Sequence, residues 1–252
     1  TANMGQGASA EEADATGYRV LGVQPNSPAS DVGLVSFFDF VVAVDGVELR
    51  ELDSTFIDKI KASEDRPLPC VVYNLKSRQT RSVTITPTRN WGGQGMLGVT
   101  IRFDTYHKAD EHLVRVLEVA PGSPAEIAGL RAGTDYLLGT AERVFGDSDV
   151  LNDECTLHLD KPVEFYVYNT ETDEVRVVVL LPTYSWGGGG CLGAAVAHGY
   201  LHRLPARCRE SNGVSIEPER PVAPNARDAM AVDAPPPPPP PADVPPPQTE
   251  VP

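Results

Sequence analysis

Val20-Leu21-Gly22-Val23-Gln24-Pro25-Asn26-Ser27-Pro28 returns 96 positions later as Val116-Leu117-Glu118-Val119-Ala120-Pro121-Gly122-Ser123-Pro124. The same offset carries Val32-Gly33-Leu34 onto Ala128-Gly129-Leu130, and Phe38-Asp39-Phe40 onto Thr134-Asp135-Tyr136. After one deletion, Val72-Tyr73-Asn74 answers to Val167-Tyr168-Asn169. Pro87-Thr88-Arg89-Asn90-Trp91-Gly92-Gly93 likewise answers to Pro182-Thr183-Tyr184-Ser185-Trp186-Gly187-Gly188. So many blocks in one order mark an internal duplication. A unit of about 95 residues exceeds the 20 to 50 of a solenoid repeat, so each copy reads as a whole domain. The 252 residues, 41% of them hydrophobic, suffice for two ordinary cores.

Within each copy the pattern is mainly β with short helices. Tyr18 to Val23 is an apolar run of β-formers ended by Pro and Ser. Ser27-Pro28-Ala29 and Ser123-Pro124-Ala125 place a capping hydroxyl before a proline at the first helical position, and a helix of one or two turns should close at Gly33 or Gly129. Phe40 to Val44 reads as a buried strand, Asp45-Gly46 as a tight turn and Val47 to Leu49 as the return strand. In Asp53 to Ala62, the residues Phe56, Ile57 and Ile60 recur at helical spacing and predict an apolar stripe on the sheet. Cys70 to Tyr73 and Ser82 to Thr86 are further strands. The matching helix of the second copy has no clear place between Ala141 and Leu159.

The formal charge of −14 argues against nucleic acid, whose binders need clustered Lys and Arg, and against direct attraction to anionic lipid. Cys70, Cys155, Cys191 and Cys208 form neither a CxxC pair nor a dense framework, which points to a reducing cytosol. No stretch approaches the roughly 20 apolar residues of a membrane span. The glycine clusters lack the Lys-Ser or Lys-Thr of a phosphate loop, and no nucleophile elbow or Ser-His-Asp set stands out, so the chain reads as a non-enzyme without cofactor. Cys191, His198, His202 and Cys208 contain zinc-ligand types, but their spacing lacks a tight knuckle, and no metal is expected. From residue 208 to 252 large apolar side chains are scarce and Pro235 to Pro241 is unbroken, which predicts a disordered tail of polyproline II character, a spacer or a ligand for aromatic-lined grooves.

The phrase Asn-Ser-Pro-Ala or Gly-Ser-Pro-Ala, then Gly-Leu, then Asp-Phe or Asp-Tyr before an apolar strand, resembles PDZ domains in both copies. Trp91-Gly92-Gly93-Gln94-Gly95-Met96-Leu97-Gly98-Val99-Thr100-Ile101-Arg102-Phe103 is more specific. Its echo is Trp186-Gly187-Gly188-Gly189-Gly190-Cys191-Leu192-Gly193, followed by Gly199-Tyr200-Leu201-His202-Arg203-Leu204-Pro205. With Gly17-Tyr18 and Ser36-Phe37-Phe38-Asp39-Phe40, these motifs resemble the Golgi reassembly and stacking protein (GRASP) family over residues 17 to 207.

That resemblance implies two tandem, circularly permuted PDZ-like domains, 17–107 and 108–207, between an N-terminal lipidation segment, 1–16, and the tail, 208–252. It places a carboxylate-binding loop late in each, at Leu97-Gly98-Val99 and Leu192-Gly193-Ala194. A ligand strand would add to the edge containing Thr100 and Ile101, facing Phe56 and Ile60, and in the second copy to an edge starting at Ala195-Val196. The first groove, apolar on both sides of its glycine, is expected to be the principal one. Met4-Gly5-Gln6-Gly7-Ala8-Ser9 fits an N-myristoylation pattern on Gly5, provided Met4 is the first translated residue. One acyl chain anchors only marginally, so a membrane-bound partner must supply the second hold. The implied function is a peripheral adaptor on the cytoplasmic face of Golgi membranes. It would bind golgin-type coiled-coil proteins and membrane-protein C-terminal tails, and its copies would also bind one another. Some family members carry a His and a Cys suited to a partner-shared metal where this chain has Arg19 and Asp104. The alternative is a PDZ substrate-recognition fragment of a protease system.

Overall fold

The computed structural model describes residues 15–216. It is mainly β, with two six-stranded sheets and short helices. The first sheet contains β1 (Thr16–Val23), β2 (Asp39–Val44), β3 (Val47–Glu48), β4 (Leu68–Asn74), β5 (Gln79–Ile85) and β6 (Val99–Thr105), in the order β5-β4-β2-β1-β6 with β3 on β2. The second contains β7 (Val114–Val119), β8 (Asp135–Gly139), β9 (Val163–Asn169), β10 (Glu174–Leu180), β11 (Ala194–Ala197) and β12 (Val214–Ile216), in the order β11-β7-β8-β9-β10-β12. In each half the last strand of the repeat pairs antiparallel with the first, β6 with β1 and β11 with β7, as the permuted order requires.

The duplicated caps form as the residues dictate. Helix α1 (Pro28–Asp31) begins where Ser27 Oγ accepts from the Ser30 N–H at 3.2 Å. Asp45 and Gly46 both take positive φ, the conformation of a two-residue hairpin turn. Helix α2 (Thr55–Ala62) buries Phe56 but leaves Ile57 46% exposed, which corrects the expected three-residue stripe. Residues four apart share a helical face, whereas Ile57 is turned about 100° from Phe56. In the second half, α3 (Pro124–Ile127) is capped by Ser123, and α4 (Ser148–Leu157) by Asp147, whose side chain accepts from Asp149 and Val150 N–H groups.

Each half has its own core. Val20, Val41, Phe56, Leu68, Val72 and Ile85 belong to one, and Val116, Leu137, Phe145, Phe165, Val167 and Leu180 to the other. A third cluster, in which Leu21, Phe37, Phe38 and Phe40 meet Tyr136, Leu138, Tyr166 and Tyr168, joins the halves. Strand alternation lets β1 serve two clusters, with Val20 in the first core and Leu21 in the shared one, and a register shift between Val20 and Gly22 returns Val23 to the first core.

The chain stays folded past residue 207, which corrects the disorder expected from residue 208 for the stretch up to Ile216. A 3-10 turn spans Ala206–Glu210, Cys208 is buried, and β12 runs parallel to β10. Polar anchoring explains what apolar content did not reveal: buried Lys76 donates through Nζ to the Cys208 carbonyl (2.6 Å), Ser211 Oγ (2.9 Å) and Asp173 (2.6 Å). The proline run and the Gly5 motif lie outside the described residues.

Candidate peptide-binding grooves

The loop ahead of β6 is shaped by its tryptophan. Trp91 Nε1 donates to the Gly95 carbonyl at 3.0 Å, and the indole lies so close that a Cβ on Gly93 would sit 2.0 Å from the ring. Gly98 has φ +65°, and a Cβ there would fall 2.3 Å from Ser27 Cβ and 2.7 Å from Trp91. The second loop repeats this with Trp186, Gly188, Gly193 and Ser123, and a Cβ on Gly193 would likewise fall 2.3 Å from Ser123 Cβ. Trp-Gly-Gly and the later Leu-Gly are therefore parts of one packed unit.

The carbonyls of this unit turn inward. Met96 C=O accepts from Thr88 N–H (2.9 Å), Leu97 C=O from Ala29 N–H (3.0 Å) and Gly98 C=O from Gln24 N–H (2.8 Å). In a trans peptide the N–H points opposite to its carbonyl. The N–H groups of Leu97, Gly98 and Val99 therefore face away from those anchors, as successive donors of an anion-binding nest must. Cys191, Leu192 and Gly193 carbonyls make the matching bonds to Thr183, Ala125 and Ala120, and so orient Leu192, Gly193 and Ala194 in the same way.

Beyond each loop lies a strand paired on one side only among the described residues, β6 on β1 and β11 on β7. In the first half Thr100 is exposed, while Val99, Ile101 and Phe103 are half-buried and pack with Ile60 on the core. Phe56 does not reach the surface. It is 1% exposed, with its ring 5.0 Å from that of Tyr18, which in turn meets Phe103 at 5.3 Å. The accessible helical wall is thus Ile60 alone of the expected pair.

The second groove is an open cleft of about 200 Å³ between α4 and β11, lined by Leu151, Cys155, Cys191, Leu192, Ala194 and Val196. Its depth follows from the repeat. At an offset of 95, Phe56 becomes Leu151, Ile60 becomes Cys155, Val99 becomes Ala194 and Ile101 becomes Val196. Four smaller side chains leave space where the first groove is filled. Burial pushes the Cys155 thiol well above its ordinary pKa, so it acts as a packing group rather than a nucleophile.

A family model described as the GRASP55/65 PDZ-like domain matches twice in tandem, over residues 4–101 and 93–207. The chain belongs to this family. Golgi reassembly-stacking protein 1 of Mus musculus is 40% identical over 205 residues, covering 81% of this chain and 46% of its own length. The Homo sapiens protein of that name is 39% identical over 206 residues, covering 81% and 47%. An uncharacterized protein of Schizosaccharomyces pombe is 33% identical over 196 residues, covering 78% and 55%. The chain spans about half the length of these curated relatives.

Where some GRASP-family chains would place a metal-ligand pair, this one holds an ion pair, with Arg19 Nε 3.5 Å from the Asp104 carboxylate. The cysteine and histidine series is dispersed. Cys191 packs in the second core and Cys208 in the shared cluster, while His198 meets Ser148 Oγ at 3.1 Å. Sequence reading missed the helical wall of the second groove, Leu151 and Cys155, although the offset of 95 from Phe56 and Ile60 pointed to both.

Proposed function

We propose that this GRASP-family chain is a non-enzymatic, peripheral Golgi adaptor that holds extended segments of partner proteins on the outer edges of β6 and β11. The observation that carries this reading is the duplicated combination of an outward N–H nest, a strand with one unpaired edge and a neighbouring helix. Added main-chain hydrogen bonds provide affinity in such a site, and pockets for alternate side chains provide selectivity. The names of the mouse and human relatives support Golgi reassembly and stacking as the setting. They lend nothing to a protease-linked module.

Golgin-type coiled-coil proteins and membrane-protein C-terminal tails are the proposed ligands, with Gly5 myristate and the partner sharing membrane attachment at the cytoplasmic face. Tyr200 and Leu201, 66% and 86% exposed after β11, offer apolar surface through which copies can also bind each other.

The test is retention of a golgin coiled-coil segment and of a second tagged copy by the immobilised full chain. Ile60→Asp and Val196→Asp each place a carboxylate against an apolar wall. Once shown to melt like wild type, either variant should lose at least one of these ligands. Full retention of both ligands by the folded double variant refutes the groove reading.

A further inference from the structure

The floor of the second cleft carries a chemistry that the first groove lacks. Of the four free cysteines, Cys70 packs in the first core and Cys208 in the shared cluster, whereas Cys155 and Cys191 both belong to the second core and both line the cleft. Cys155 stands on α4 and Cys191 in the loop ahead of β11, so the pair reaches from one wall to the other. Their thiols are hydrogen-bonded to each other. The repeat supplies an internal comparison, because at the offset of 95 Cys155 answers to Ile60 and Cys191 to Met96. In the first half two ordinary apolar side chains do the packing. The second half replaces both of them, and the replacements are two thiols that touch.

Accessibility sets the order in which the pair reacts. Cys191 is 8% exposed and Cys155 1%, and the cleft of about 200 Å³ is several times the roughly 30 Å³ share of one water molecule, so a small hydroperoxide enters and meets Cys191 first. The Cys191 sulfur takes the terminal oxygen as the O–O bond breaks, becoming a sulfenic acid while the hydroperoxide is reduced to water or an alcohol. Cys155 then attacks the sulfenic sulfur it already touches. The S–S bond forms, the S–O bond breaks, and the thiol proton leaves with the hydroxide as water. No thiolate has to form in solvent, so the weak acidity of Cys155 keeps it inert in the resting protein without forbidding this second step. We propose that Cys155 and Cys191 are a hydroperoxide-sensitive modification site, whose reversible disulfide staples α4 to the loop ahead of β11 and stops the second cleft from widening. The sulfurs must close to about 2 Å, which holds the helical wall against the loop. A disulfide reached through an open cleft is of the labile kind that thiol reductants restore. Its consequence for partners rests on the reading of this cleft as a peptide groove, whereas the chemistry does not.

The experiment treats the reduced full chain with hydrogen peroxide, with and without later dithiothreitol, and maps its cysteines by mass spectrometry. Peptides containing Cys155 and Cys191 should become cross-linked while Cys70 and Cys208 stay free. Amide hydrogen exchange in α4 should slow, and both changes should revert with dithiothreitol. Cys155→Ala should halt the chemistry at the Cys191 sulfenic acid, trapped as its dimedone adduct, and Cys191→Ser should give neither adduct nor cross-link. The variants remove opposite ends of the pair, so if one fails to melt like wild type the other decides. The oxidised chain should retain the golgin coiled-coil segment more weakly than the reduced chain, a difference lost in Cys191→Ser. Absence of the cross-link, pairing with Cys70 or Cys208, or unchanged exchange in α4 overturns the proposal. Equal retention by the two redox forms overturns the closure of the cleft. The groove reading then survives if Val196→Asp still loses the segment, and falls with it if not.

Discussion

Asp39 and Asp135 are fully buried carboxylates, and each is satisfied by three partners at equivalent positions of the repeat. Asn74 donates to Asp39 at 2.7 Å, Arg81 donates to it from two nitrogens, and Val35 N–H completes the set. Asn169, Arg176 and Arg131 N–H repeat the arrangement around Asp135. The two acids and two amides were legible as repeat blocks, but Arg81 and Arg176 stand alone among dissimilar neighbours, and only the fold connects them to their carboxylates. Arg81→Met leaves a buried charge without its cation and should cost about 3 kcal/mol in urea unfolding. Asp110 adds a pH dependence. Burial would raise its carboxyl pKa, but hydrogen bonds from Arg209 and Arg78 outweigh that and hold it below the usual range. Asp173 is lowered likewise, burial being overcome by Lys76, Ser211 and Tyr168. A depressed folded pKa stabilises the protein above the unfolded value near 4. This contribution should therefore be complete at pH 6 and lost as pH falls through 4 and below, lowering the urea midpoint. Asp110→Asn should flatten part of that slope.

At the scale of elements, legibility followed the strength of the local chemistry. Both Ser-Pro caps, the Asp45-Gly46 hairpin and the strands appeared where capping, positive φ and β-propensity put them. Helix α4 escaped because its inward face is not plainly apolar. Glu154 sits there 6% exposed, tied to Arg143 at 3.3 Å, beside Cys155. A pattern that counts hydrophobic residues cannot see a buried salt-bridged carboxylate. The backbone requires glycine at position 98 for two reasons, its left-handed φ and the proximity of Ser27 and Trp91. Gly98→Ala combines conformational strain with overpacking and should cost about 2 to 4 kcal/mol in thermal or urea melts, with loss of ligand at the first groove. The expectation that this groove would dominate rested on its larger residues. The same logic read in reverse gives the second groove its cleft, because an absent methyl group is room for a ligand's side chain.

For the whole molecule, the repeat foretold two cores but not the third cluster, since aromatic residues such as Phe37, Phe38 and Tyr168 look the same in a sequence whichever core they enter. The stretch from Cys208 to Ile216 belongs to that union. It supplies acceptors for buried Lys76, Arg209 for Asp110, and Ser215 Oγ for the Ser36 N–H at 2.8 Å. A chain ended at residue 207 should melt several degrees below one ended at residue 216. Lys76→Met should destabilise the longer chain much more than the shorter, because both changes break the same network. Additive losses would show that the network is not shared.

The shared cluster also bears on how the grooves choose what they hold. On the function proposed above, two binding edges fastened to one body would not swing to suit their guest. A partner carrying two short motifs gains from the second only when the chain between them spans the fixed gap, and the gain fades as that chain lengthens. Under that proposal, spacing between motifs would become a quantity the molecule measures, in addition to the motifs themselves.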